Sequence, residues 1–306
     1  MREGREVYSF KSGNEHRLHS LTLSPDLENF VTGDEQSICL WNLERHGNPV
    51  YNLYERSVKR GCISDEVVTS AKFSQESPVF LFTTSRGQIK ICDFRESSSF
   101  QDRASMQFAL RGRKDGANLF DPWLNVVSDA CFVPNSNHVL SRDYLSTKLW
   151  DLRMGDNSSS TMIVDSHNTA KPIYSANVTD YLQSHLGDLH ETDYRHDEFF
   201  LDVSPDGKHV ATGSYNKSGH VQDIHATTST SIVCKFNEQK DQSVGTLKVF
   251  DSKKRLISQR SGLTSAASSV DFRKRISLGS WKPQRAGEAP GSNTLALVFR
   301  NCIYLY

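Results

Sequence analysis

The chain has 306 residues, of which 37% are hydrophobic and 10% aromatic, and its 36 Lys+Arg balance 36 Asp+Glu. A net charge of zero supplies no basic field for non-specific nucleic-acid binding. No apolar run reaches the roughly 18 residues of a membrane span, and the aromatic content argues against a wholly disordered chain.

The first residues, Met-Arg-Glu-Gly-Arg-Glu, carry no apolar core of a secretory signal. Six cysteines occur, Cys39, Cys62, Cys92, Cys131, Cys234 and Cys302, and none forms a C-x-x-C pair. Cys39, Cys92, Cys131 and Cys302 sit in apolar strand-like runs, as buried free thiols do. The expectation is a reduced, intracellular protein without disulfides.

Along the chain one pattern recurs: an alternating strand, a Ser/Pro/Asp/Asn turn, a second apolar strand, a polar turn, and a third strand ending in an aromatic-acid-apolar cluster. Copies lie near 16–43, 66–95, 126–153, 196–224 and 266–306. In SICLWNL, Ile38 and Leu40 share one face and Cys39, Trp41 and Leu43 the other, so the strand is expected to be covered on both sides. In SAKFS, Ala71 and Phe73 flank the polar Lys72. The turns are Ser24-Pro25-Asp26, Pro134-Asn135-Ser136-Asn137 and Ser204-Pro205-Asp206-Gly207. Strand-turn-strand units repeating in this way predict an all-β propeller, one domain over 1–306. Trp41-Asn42-Leu43, Cys92-Asp93-Phe94 and Trp150-Asp151-Leu152 resemble the Trp-Asp signature of WD repeats.

The intervening segments 96–118 and 155–174 read as polar excursions, and 236–265 is polar around the strand-like TLKVF. DYLQSHLGDLH differs. Leu182, Leu186 and Leu189 fall at i, i+4 and i+7, which predicts a short amphipathic helix near 180–190, inserted between two units.

Specific stretches carry a closer resemblance: SRDYLSTKLWDLRM (141–154), DYLQSHLGDLHETD with DEFF (180–200), ATGSYN (211–216), and SVDF with ISLGSWKP (269–283). With TSAKFS, SRGQIKICDFR and HSLTLSPDLENFVTGDEQSICLWNLE upstream, the chain resembles the WD-repeat class of regulatory B subunit of protein phosphatase 2A from about Glu6 onward. The resemblance implies an incomplete seven-blade ring with about five blades visible. The family's first blades and its hairpin arm have no counterpart here. Missing blades would leave sheet edges and apolar faces unpaired.

What the resemblance implies about function is a non-catalytic subunit that binds the scaffold and catalytic phosphatase subunits and presents basic phosphoproteins to them. It implies no cofactor, no metal, no nucleic acid and no membrane. The location implied is the cytosol, with the nucleus left open. The alternative is a general WD-repeat interaction scaffold without phosphatase binding. Groove candidates carried over are Asp34, Glu35, Ser64, Tyr215 and Asn216, and contact candidates for phosphatase or substrate are Arg142, Asp143 and Tyr144. Two departures stand out: Ser218-Gly219 replaces a pair of phenylalanines, and a groove leucine falls on Ser64, or on Ile63 with a one-residue shift.

Each candidate has a plainer reading. Asp34-Glu35 could be only a turn, and Arg142-Asp143-Tyr144 a salt-bridged turn with a half-buried tyrosine. Trp41, Trp150 and Trp281 are expected in the core. His185, His190, Glu191, Asp188 and Asp193 are close in sequence, but histidines five apart point to different helix faces, and no H-E-x-x-H or Cys ligand supports a metal. No G-x-S-x-G or Walker sequence occurs, so no enzyme is expected. Lys253-Lys254-Arg255 and Arg273-Lys274-Arg275 read as solvated strand edges.

Overall fold

The structure, a computed structural model, describes residues 18–45, 47–55, 58–59, 62–63, 66–93, 106–109, 120–154, 171–216, 218–224, 231–237, 246–250, 272–273, 275–282, 294–299 and 302–305. It is built from antiparallel sheets in chain order. The first contains β1 (Leu18–Leu23), β2 (Asn29–Asp34), β3 (Ser37–Asn42) and β4 (Tyr51–Glu55). A small ladder follows, β5 (Val58–Lys59) with β6 (Cys62–Ile63). The second sheet has β7 (Val68–Phe73), β8 (Val79–Thr84), β9 (Gln88–Asp93) and β10 (Met106–Ala109). After a helical turn, α1 (Asp121–Leu124), comes the third: β11 (Val127–Phe132), β12 (His138–Asp143), β13 (Ser146–Asp151) and β14 (Tyr174–Asn177). The fourth holds five strands, β15 (Leu201–Val203), β16 (His209–Gly213), β17 (Ser218–Asp223), β18 (Ser231–Asn237) and β19 (Thr246–Phe250). The last is β20 (Leu278–Trp281), β21 (Leu295–Phe299) and β22 (Cys302–Leu305).

The excursions are only partly excursions. β10 lies inside 96–118 and β14 starts at the end of 155–174, so each of the first three sheets has a fourth strand that the three-strand pattern did not contain. Phe108 of β10 explains the recruitment. It is buried against Trp150, ring centroids 5.5 Å apart, and that burial outweighs the weak local β signal of MQFA.

Period two organises the core. Val31, Ile38, Leu40 and Leu53 of the first sheet meet Ala71, Phe73, Phe80 and Phe82 of the second. On the other face of the second sheet, Leu81, Ile89, Ile91 and Phe108 meet Val127, Ala130, Val139 and Trp150. Cys131, Leu140 and Leu149 then meet Leu201, Val210 and Ile224 of the fourth sheet. The second and third sheets are thus apolar on both faces, as stacked blades require, and the arrangement is that of an incomplete WD-repeat propeller. Leu21 and Leu23, opposite Thr32 and Phe30 and therefore on the first sheet's other face, are 66% and 44% exposed. Trp41, Trp150 and Trp281 are all buried. The indole N–H of Trp41 donates to Thr32 Oγ1 at 2.8 Å, and that of Trp150 to Ser141 Oγ at 2.8 Å.

The innermost strands are stitched to one another. Ala71 N donates to Ser20 Oγ at 3.0 Å, Thr69 Oγ1 donates to the Val127 carbonyl at 2.5 Å, and Ser128 Oγ donates to the Phe199 carbonyl at 2.8 Å. Trp281 N donates to Asp202 Oδ2 at 2.7 Å. At the centre, fully buried Asp129 accepts from Ser70 Oγ at 2.7 Å, Lys72 Nζ at 2.6 Å and Leu201 N at 2.7 Å. Gly213 fits where it does because an added Cβ would stand 1.7 Å from the Ile276 carbonyl oxygen. Cys39, Cys92 and Cys131 are buried free thiols. Among the described residues no helix is long and apolar enough to cross a membrane.

Two outcomes follow from this packing. Asp129→Ala strands the Lys72 ammonium together with the Ser70 and Leu201 donors, and is expected to cost about 3 kcal/mol in urea unfolding, with Asp129→Asn costing less. Leu27 holds a left-handed backbone, φ 59°, at the turn position where the fourth sheet has Gly207, φ 69°. Leu27→Gly is expected to raise stability by about 1 kcal/mol in the same measurement.

Candidate protein-docking rim

In each of the first three sheets the turn between second and third strands lies at the end where the inner strand begins. We term this end the upper rim. Two of its turns are built alike. Asp34 Oδ1 accepts from Gln36 N at 2.7 Å and Ser37 N at 2.6 Å, while Oδ2 accepts from Ser37 Oγ at 2.9 Å. Asp143 Oδ1 accepts from Leu145 N at 2.9 Å and Ser146 N at 2.7 Å, and Oδ2 accepts from Ser146 Oγ at 2.7 Å. Each carboxylate closes an Asx-type turn, and each is buried. The Asp-x-x-Ser spacing at 34–37 and 143–146 was the signal for this role.

The acidic pair therefore divides. Asp34 is a turn residue, and its oxygens point inward. Glu35 is the one that faces solvent, with 46% of its side chain exposed, and its carbonyl accepts from Val68 N at 3.2 Å, fixing the turn to the second sheet.

Arg142, Asp143 and Tyr144, the contact candidates with the salt-bridged turn as their plainer reading, are all buried. Arg142 is fully buried and its ring neighbour is Phe199, 5.5 Å from guanidinium carbon to centroid. Its Nη1 donates to the Asp143 carbonyl at 2.8 Å. Lys148 Nζ ion-pairs with Asp143 and donates to Ser146 Oγ at 2.6 Å. Tyr144 is buried outright, not half-buried, because the insertion sits on it.

That insertion is helical but not one helix. Residues Asp180–His185 form a 3-10 turn, Leu186–His190 a short α-helix, α2, and Asp193–His196 another 3-10 turn. Thr179 could have capped a regular helix, but its Oγ1 lies 3.2 Å from each of the Tyr144 and Leu145 carbonyls instead. Leu182 and Leu189 are fully buried with Tyr144, Phe199 and Tyr215, and Leu186 packs beside them. The hydroxyls of Tyr144 and Tyr215 lie 2.7 Å apart, each 3.1 Å from the Tyr194 carbonyl, and Tyr215 Oη is 2.8 Å from Asp197 Oδ2. Tyr215, taken from the sequence as a groove residue, is thus a fully buried post beneath the insertion. Asn216 is half-buried in a left-handed turn, φ 58°, a conformation Asn tolerates. Ser218 and Gly219, where phenylalanines were expected from the resemblance, are buried strand positions in β17. Ser64 and Lys253-Lys254-Arg255 lie outside the described residues.

The histidine-acid group does not converge. His185 Nδ1 is 3.2 Å from Asp188 Oδ2, while His190 packs edge-on to Phe120 at 5.6 Å. Among the described residues no group of three or more His, Cys, Asp or Glu is placed to hold a metal. Arg273 and Arg275 belong to the segment entering β20 and are not a strand edge; Arg275 ion-pairs with Asp197.

One residue that sequence reasoning missed stands at the rim. His19 lies between Glu35, 3.4 Å from Nε2, and Glu198, 3.8 Å from Nδ1, with its side chain only 10% exposed. The Glu198 carboxylate, opposed by burial and helped by Glu35, holds the imidazole above its ordinary 6.5. At the end of the sheets opposite the upper rim, burial pushes the Cys131 thiol up to about 12, which makes it unreactive. A cleft of about 680 Å³ opens there, lined by Lys72, Ile91 and Met106 of the second sheet, Cys131 and Phe132 of the third and Asp202 of the fourth.

No family model matches the chain. It is 27% identical over 304 residues to a serine/threonine-protein phosphatase 2A regulatory subunit of Dictyostelium discoideum, covering 97% of this chain and 57% of that protein. The protein phosphatase PP2A 55 kDa regulatory subunit of Drosophila melanogaster is 28% identical over 300 residues, 97% of this chain and 54% of its own length. The alpha isoform of the B-type 55 kDa regulatory subunit in Oryza sativa subsp. japonica is 28% identical over 313 residues, 99% and 49%. The chain is a partial relative of protein phosphatase 2A regulatory subunits. It spans about half the length of the curated relatives it matches.

The tyrosine post is testable without any partner. Tyr215→Phe removes a hydroxyl from a buried network and is expected to cost about 1 kcal/mol. Amide hydrogen exchange should quicken in residues 186–196 and stay unchanged in β7 and β8.

Proposed function

We propose that the chain is a non-catalytic regulatory module of protein phosphatase 2A. It would bind the scaffold and catalytic subunits and present basic phosphoprotein segments to the active site of the companion chain. The observation that carries this is the similarity to named regulatory subunits along 97% of the chain. The upper rim supports it, since Glu35 projects from a turn whose own carboxylate, Asp34, is buried.

The physics is positioning. A platform that holds both enzyme and substrate turns dephosphorylation into an effectively intramolecular event, with local concentrations of order millimolar. Exposed acidic side chains add charge-assisted contacts to Lys or Arg and make encounter salt-sensitive. The cytosol is the compartment this role calls for.

Affinity purification of the tagged chain from cell extract, read by mass spectrometry, tests the proposal. Scaffold and catalytic phosphatase subunits are expected together. A folded chain that recovers other stable partners and neither subunit would instead favour a general WD-repeat scaffold. Glu35→Lys is expected to leave recovery of the phosphatase subunits intact and to weaken capture of basic phosphopeptides about fivefold.

A further inference from the structure

Three inner strands share a device at the upper rim. In β1, β7 and β11 the register slips by one residue, at 19, 69 and 128, a β-bulge that re-aims a side chain. In β7 and β11 the bulged residue is a hydroxyl, Thr69 or Ser128, that donates to the next inner segment at 2.5 or 2.8 Å. In β1 the same position is His19. Its ring is directed instead at two carboxylates, Glu35 from the β2–β3 turn and Glu198 from the segment leading into β15.

The surrounding charges are already engaged. Asp34 is occupied by its turn. Asp197, beside Glu198, is paired with Arg275, and Glu66, on the next rim position, lies 3.9 Å from Lys90. Those pairs use Lys and Arg, whose charge is fixed across the physiological range. The Glu35–Glu198 pair is bracketed around a histidine, whose charge is not.

We propose that His19 is a pH-sensitive clasp across the upper rim: protonated, it ties the first sheet to the entry of the fourth and offsets one of the two negative charges of Glu35 and Glu198; neutral, it frees both carboxylates for a lysine or arginine of a docked segment. The sign follows from the direction of the shift. A folded-state value raised above 6.5 means that the clasp contributes fully below the unfolded value and is lost as pH rises through the folded one. Basic segments are therefore held better on the alkaline side of that transition. This deepens the regulatory reading above and rests on it for the identity of the docked segment.

The test uses the whole chain alone. Imidazole resonances are followed by NMR from about pH 5 to 9, with His19 assigned by its loss in His19→Gln. The midpoint for His19 is expected above 6.5, falling in Glu198→Gln and less far in Glu35→Gln. A wild-type midpoint at or below that value, or one that neither variant moves, overturns the clasp. Calorimetry with a tetralysine peptide forms the second arm. Wild type is expected to bind about twofold to fivefold more tightly on the alkaline side of the midpoint, and His19→Gln to lose that difference. Equal wild-type affinity on both sides overturns the gating. Should His19→Gln not fold, His19 is assigned in the wild type by triple-resonance correlation to its backbone, and Glu198→Gln and the wild-type titrations still decide. Neither arm contains a phosphatase subunit, so failure here leaves the regulatory proposal standing, and failure of the purification leaves these titrations unaffected.

Discussion

The structure depends on how Asp129 is satisfied. A carboxylate at the innermost strand of the third sheet, with no exposure to water, reaches β7 through Ser70 and Lys72 and β15 through the Leu201 amide. Burying that charge unpaired would cost several kcal/mol. Only an arrangement that brings all three strands around it satisfies its oxygens. Burial works against the Lys72 charge, and Asp129, with Asp202 farther off, more than offsets it, so the ammonium is held above its ordinary value. Hydrophobic contact between blades is non-directional. The central polar network is directional, and it sets which strand faces the axis and at what height.

A second consequence is a separation of stiffness from recognition. The Asp34 and Asp143 turns are fixed by their own buried carboxylates, and the tyrosine post under the insertion fixes the far side of the rim. Glu35, the side chain proposed above to meet a partner, is then held on a rigid edge. Rigid presentation reduces the ordering cost that binding would otherwise incur.

Much of the fold was legible in the sequence. Alternation in SICLWNL and the Ser-Pro-Asp turns located the first three strands of each unit, and the leucines at 182, 186 and 189 located the insertion. The fourth strands were not legible, since MQFA and YSAN have weak local β preference and are recruited by packing across sheets, as Phe108 on Trp150 shows. The site was legible only in outline. Asp143 and Tyr144 look like surface residues of a turn until an insertion farther along the chain covers them, and Arg142 looks like a surface cation until Phe199 packs on it. His19 was invisible because its partners, Glu35 and Glu198, come from opposite halves of the chain.

The bulge positions show how one backbone device can serve both ends. At residues 69 and 128 a short hydroxyl completes a neighbouring carbonyl and joins adjacent strands. A hydroxyl does not titrate, so those joints are constant in pH. At residue 19 the imidazole lies between two carboxylates, which stand where one carbonyl stands elsewhere. The backbone slip is the same in all three places, so the difference between a permanent joint and a conditional one lies in the side chain at the bulge and the groups it meets.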